Sequence, residues 1–176
     1  LNLVVMNEAG DVLFESGKLN PDGSIAGNDN DLDSSGYEPH YTEIVSAEEV
    51  QIYEPIVADY DGNVTTSLLS GASYAKDNRL LPDGFDKSTA EEAIAVMGNA
   101  AGDDDFGAGG DSIVYRIDRG AGAGAINVSA KLLYQTIGYR WASNLRDYDS
   151  FETNRFVGYF EDNSDIATVV LAEDTN

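Results

Sequence analysis

Apolar and polar positions alternate along this chain in short runs, and the runs are separated by glycine and aspartate. In "LNLVVMNEAGDVLFESG", Leu3 and Val5 and then Val12 and Phe14 mark one face of two half-buried strands around a turn at Asn7 to Asp11. "EVQIYEPIVADYDGNVTTSLL" predicts a strand over 50–57, an Asp61-Gly62 turn and a second strand from Val64, because Asp-Gly tolerates the positive φ of a tight hairpin. "DSIVYRIDRG" and "AINVSAKLLYQTIGYRW" are the clearest strands; Ile126, Val128, Ala130 and Leu132 occupy alternate positions in the second. The "GAGAGA" between them reads as a hairpin tip, and no helix follows it that would make it a nucleotide loop. "DKSTAEEAIAVMG" carries a capping-box spacing from Ser88 to Glu91 and predicts helix near 89–96. "ETNRFVGYFED" suits a short helix and "IATVVLA" a last strand. Residues 18–43 form a long polar stretch, a length that in a compact domain points to a functional or disordered loop. Many short strands between turn signals, with no internal repeat, predict a mainly β fold: an immunoglobulin-like β-sandwich with short helical insertions, as one domain over residues 1–176.

Charge changes the picture most. The 176 residues carry 32 acidic and 10 basic side chains, a formal net charge of -22. Such a field repels nucleic acid and anionic lipid, which excludes both as direct partners, and it attracts cations and basic surfaces. No cysteine is present, so disulfides, thiolate metal sites and a covalently attached c-type haem have no ligands in this chain. No apolar run approaches a membrane span, and no signal peptide is visible at Leu1. The chain opens directly on a strand-like run, which reads as the start of a fragment of a longer protein.

Candidate chemistry lies in the acidic loops and around the single histidine. In "GNDNDLDSSGYEPHYTEI", Asp29, Asp31 and Asp33 resemble the opening of an EF-hand loop, but Ser34 and His40 stand where the glycine and the terminal glutamate belong. A calcium site of another kind draws on Asp22, Asn28, Asp29, Asp31, Asp33 and Glu38, against the competing reading of a solvated acidic loop. Asp59, Asp61 and Asn63 are explained by turn chemistry, and the Asp103–Asp111 loop "DDDFGAGGD" carries the same ambiguity as the first cluster. His40 is the one side chain with an ordinary pKa near neutrality. Alone and without cysteine it builds no typical zinc site, and no Ser–His–Asp arrangement follows from it, so its plainer role is to bond the loop to the sheet. Tyr139, Arg140 and Trp141 are suited to stacking on a sugar or cofactor, or to closing one end of the core with Arg140 paired to a carboxylate; the second is favoured.

The phrases "NPDGSIAGNDND", "EPHYTEI", "VQIYEPIVADYDGNVTTSLL", "KDNRLLPDGFDK" and "IGYRWASNL" occur in this order over roughly residues 1–160. In wording and order they resemble the C-terminal, haem-free β domain of bacterial multihaem c-type cytochromes, in which Cys-x-x-Cys-His segments precede such a domain. In that family the domain begins one or more strands before Leu1. The resemblance implies a non-catalytic accessory domain of an exported, periplasmic or extracellular electron-transfer protein, packing on or docking haem-bearing segments and presenting an acidic face to a redox partner. It also implies that His40, in "EPHY", reaches a neighbouring haem as an axial ligand. An alternative of another class is a calcium-dependent extracellular binding or adhesion module using the acidic loops and Tyr139–Trp141. A hydrolase with paired carboxylates finds no support in the spacing.

Overall fold

The computed structural model describes residues 1–28, 33, 35–119 and 124–176. Among them the fold is mainly β, with eight strands: β1 (Asn2–Asn7), β2 (Val12–Ser16), β3 (Glu43–Ile44), β4 (Pro55–Ala58), β5 (Ser73–Asp77), β6 (Val114–Tyr115), β7 (Ile126–Gln135) and β8 (Thr168–Thr175). The α-helices are α1 (Tyr139–Asn144) and α2 (Phe151–Asn163). Backbone proximity groups the chain into two compact units. Unit 1 is Leu1–Leu32, Ser46–Val50 and Ile117–Asn176; unit 2 is Asp33–Val45 and Gln51–Arg116.

Unit 1 is built on one antiparallel sheet of order β2-β1-β7-β8. The alternation read from the sequence sets its register: Val5 lies opposite Phe14 on one side and Val128 on the other, and is buried. The predicted turn forms because the Asn7 side-chain oxygen accepts from the N–H groups of Ala9 and Asp11, both at 2.9 Å. Ser16 Oγ donates to the Glu49 carbonyl at 2.7 Å, tying β2 to the Ser46–Val50 segment. Gly17 follows at φ +73°, and a Cβ there would overlap the Leu1 carbonyl, so only glycine fits. The strand expected to run on through Trp141 stops at Gln135: Gly138 is extended and caps α1, which turns Arg140 and Ala142 inward. Helix α2 has a reciprocal cap, Ser150 Oγ accepting from the Thr153 N–H and Thr153 Oγ1 accepting from the Ser150 N–H, each at 3.2 Å. None of its residues is buried.

Unit 2 has shorter elements. β4 and β5 pair antiparallel, and β3 and β6 pair in parallel through Glu43 opposite Val114 and Ile44 opposite Tyr115. The Asp59–Asn63 turn forms as read: the Asp59 carboxylate accepts from the N–H groups of Asp61 and Asn63, and the Asn63 bond, the larger cause, holds it below the usual carboxylate range. The strand expected from Val64 is a single bridge to Ala58, because hydroxyl turns over Thr65–Ser70 interrupt the chain before β5. β6 pairs with β3, and β7 with β1 and β8; the tip of the hairpin expected around the Gly-Ala run, residues 120–123, lies outside the described residues. The helix expected at 89–96 is reduced to a 3-10 turn at Glu92–Ile94, and a second 3-10 turn follows at Gly98–Gly102. Ser88 donates its hydroxyl to Asp86 at 2.6 Å, and that local bond competes with the cap. Gly98, at φ +75° and with the Ala75 carbonyl 3.3 Å from where a Cβ would sit, lets Met97 bridge to Asp77 and start the second turn. Val96, Ala100 and Phe106 form the buried apolar cluster of this unit, with Tyr53 and Leu81 packed against it.

Candidate functional site

The ends of five segments in unit 2 converge on His40. The β3–β6 pairing sets the loop before Glu43 beside the loop before Val114, which brings His40 to Asp111. Gln51 lies just before β4, Asn78 just after β5, and the bridge from Asp77 to Met97 carries the chain on to Asp103. His40 is 4% exposed. Its Nε2 lies 3.2 Å from Asp103 Oδ2 and 3.8 Å from Asp111 Oδ1. Its Nδ1 lies 2.9 Å from Gln51 Nε2 and 3.0 Å from Asn78 Nδ2. The Phe106 ring covers it at a centroid distance of 4.9 Å, tilted by 60°.

The two amides decide the state of the ring. Gln51 Oε1 accepts from the Tyr41 N–H at 2.9 Å, so Nε2 is the Gln51 atom that faces the histidine. Asn78 Oδ1 accepts from the Glu54 N–H at 2.9 Å, and its Nδ2 also donates to the Ile52 carbonyl at 3.0 Å. Neither amide can turn over without setting N–H against N–H. Nδ1 therefore meets two donors and acts as the acceptor, and the neutral ring carries its proton on Nε2, aimed at the two carboxylates. Both carboxylates have other donors: Asp103 Oδ1 accepts from the Asp105 N–H at 3.1 Å, and Asp111 accepts from Tyr53 Oη at 2.6 Å and from the Ser112 N–H at 2.9 Å. Burial, and then the bond to Asp111, push the Tyr53 phenol well above its ordinary range. Lys87 Nζ donates to the carbonyls of Ala100 and Asp103 and holds the turn that presents Asp103.

Among the described residues, His40, Asp103 and Asp111 are the three grouped ligand types that could hold a metal, with one atom of each within 4.8 Å of the others. The donor set opposes that use. A histidine that gives Nε2 to a metal keeps its proton on Nδ1 and donates it to an acceptor; here Nδ1 faces two donors. The same geometry bears on a haem: His40 is buried with both ring nitrogens engaged, so reaching a haem on another segment requires this loop to open. A general base at Nε2 meets the same obstacle, since the atom carries a proton rather than a lone pair.

Of the six residues read as calcium ligands, four fall among the described residues. Asp22 is exposed and accepts from the Ser24 hydroxyl and N–H, which hold it below the usual carboxylate range, the hydroxyl foremost. Asn28 is 8% exposed, and its buried side-chain oxygen has no hydrogen-bond partner among the described residues. Both belong to unit 1. Asp33 closes a turn onto Ser35, and Glu38 is buried and accepts from Tyr41 Oη at 2.6 Å; both belong to unit 2. Asp29 and Asp31 lie outside the described residues. Tyr139, Arg140 and Trp141 form the first turn of α1, with Arg140 buried and Arg146 over the Tyr139 ring at 5.6 Å. Sequence reasoning missed Gln51 and Asn78, the two side chains that fix the histidine, and did not join His40 to the Asp103–Asp111 loop. Apart from the solitary histidine and the acidic loop themselves, no signal in the sequence links them.

No protein family, curated protein or solved structure matches the chain. The functional reading therefore stands on the chemistry of the chain itself and on the wording of its phrases.

Proposed function

We propose that this chain is a non-catalytic, acidic accessory domain of an exported electron-transfer protein, and that it docks a basic, haem-bearing segment of the same or a partner protein. The observation that carries the reading is charge. With 32 acidic residues and 10 basic ones, no set of internal ion pairs neutralises the surface. A field of that sign draws cationic partners from a distance and orients them, and the attraction fades as salt screens it. His40 serves as the anchor of unit 2 in this reading, and a haem is held by its own segment. The resemblance to haem-free cytochrome domains supplies the haem, the periplasmic or extracellular location and the immunoglobulin-like two-sheet architecture. The test is a titration of the chain with a small basic c-type cytochrome, followed in the haem absorbance and by calorimetry. Complex formation at low ionic strength and its loss at roughly 0.5 M salt, where the screening length is a few Å, is the expected result. No complex at low salt overturns the reading.

One observation favours a second reading, calcium binding near the acidic loop. The buried Asn28 oxygen has no donor among the described residues, and an amide oxygen is a ligand that calcium accepts. Millimolar calcium then raises the melting temperature by mass action; an unchanged melting temperature removes this reading.

A further inference from the structure

β8 is an edge strand of the unit 1 sheet, eight residues long, and β7 is its only neighbour among the described strands. Edge strands are ordinarily protected by lysine, proline, short length or a covering element. β8 has no lysine and no proline, and it is exposed on both faces: Val169 is 52%, Val170 47% and Leu171 58% accessible. Pairing with β7 jumps from Ala172 to Val170, so Leu171 is the extra residue of a bulge. The bulge divides β8 into an apolar arm, Thr168–Val170, and an arm carrying Glu173 and Asp174. Tyr134, opposite Val169 on β7, is 49% accessible as well.

The surrounding charge selects what fits this edge. Residues 145–176 contain eight carboxylates against two arginines. A second copy of the chain would bring the same carboxylates, and a net charge of -22, against the first. A cationic strand meets neither penalty. We propose that β8 accepts an extended, basic segment of a partner protein as a fifth strand. The partner's backbone pairs with the outward N–H and C=O groups of β8, its apolar side chains lie against Val169 and Leu171, and its lysines or arginines lie against Glu173 and Asp174. This assigns a location to the docking proposed above and rests on that reading.

The test uses the whole chain and a labelled nine-residue peptide in which valine and threonine alternate and two lysines sit at one end. Binding is read by fluorescence anisotropy, and its place by amide hydrogen exchange. The expected result is saturable binding that slows exchange in β8, weakens about tenfold or more on going from low to high salt, and is lost in Leu171→Lys. Val12→Lys, an exposed position on the opposite edge strand, binds the peptide as the parent does. Equal binding of a peptide with glutamates in place of the lysines, no binding at all, or protection that falls on β2 overturns the assignment, as does a salt-induced dimer that Leu171→Lys abolishes. The basic cytochrome separates this inference from the docking reading. If it binds Leu171→Lys as tightly as the parent, the edge assignment fails and docking stands; if it binds neither, docking fails.

Discussion

The two units handle their polar groups in opposite ways. Unit 2 has a polar interior: His40, Gln51, Lys76, Asn78 and Asp103 are all buried, and the histidine alone joins four other side chains. Unit 1 has the regular elements, a four-stranded sheet and the longer helix, yet α2 has no buried residue and β8 is open on both faces. Polar groups that satisfy one another inside a fold specify its shape and leave little for a ligand. A regular sheet that ends on an uncovered edge leaves backbone donors and acceptors for another chain. The region that looks most like an active site is thus the one whose chemistry is committed to structure, and the plain edge strand is the one with capacity to bind.

The largest effect that tests this contrast comes from His40→Ala. It deprives Asp103 of a donor and two buried amides of an acceptor, a loss of about 3–4 kcal/mol. Urea unfolding measures it, and hydrogen exchange localises it: amides of β4 and β5 lose protection while those of β1 and β7 keep theirs. If both sets open together, the units unfold as one body and the contrast fails at the level of stability.

Asn78→Ala comes next. Its amide bonds His40, the Ile52 carbonyl and the Glu54 N–H, so removal costs about 1–3 kcal/mol. The sharper quantity is the double-mutant cycle with His40→Ala. Groups in one network do not add, so the double variant loses less than the two singles together, by about 1 kcal/mol. Strict additivity would mean that the amide does not hold the ring.

How much of this was legible in the sequence follows from sequence separation. The β1–β2 turn, β7, α2 and β8 declare themselves through local signals: the turn at Asn7 to Asp11, alternate apolar positions from Ile126, the "ETNRFVGYFED" run, and the run of β-branched residues before Leu171. The site does not, because its partners are brought together by pairings that no local period encodes. Asp103 and Asp111 stand 63 and 71 positions from His40, joined to it through the parallel β3–β6 contact and the Asp77–Met97 bridge. Local signals also mislead where two of them compete. The Ser88–Glu91 spacing matches a capping box, yet Asp86 takes the serine hydroxyl first. The strand read from "AINVSAKLLYQTIGYRW" runs on to Trp141, yet it stops at Gln135, and a helix follows Gly138.

Alkaline pH gives a smaller effect, again confined to unit 2. Burial pushes the Tyr115 phenol up to about 12, from an ordinary value of 10.0, and Tyr53 moves in the same direction. A raised folded-state pKa means that the unfolded chain releases the proton first. Stability is therefore full below pH 10 and falls as pH climbs from 10 toward 12. Tyr115→Phe flattens that decline. Thermal melts at stepped pH check it, and a decline equally steep in the variant assigns the alkaline loss to other groups.

The smallest effect on stability belongs to the position with the largest proposed effect on binding. Leu171 sits at the bulge of the edge strand, 58% accessible, so replacing it with lysine removes little buried surface. The expected change is within about 0.5 kcal/mol, typical of an exposed position. At Ile56, buried in β4, the same replacement would place an ammonium group in the interior and cost several kcal/mol, on the order of the loss at His40. If Leu171→Lys costs as much as a core change, β8 has a cover within its own chain and is no free edge. If it costs almost nothing, the exposed leucine does no work in holding this fold, and the reason for an apolar side chain there has to be sought in what the edge binds.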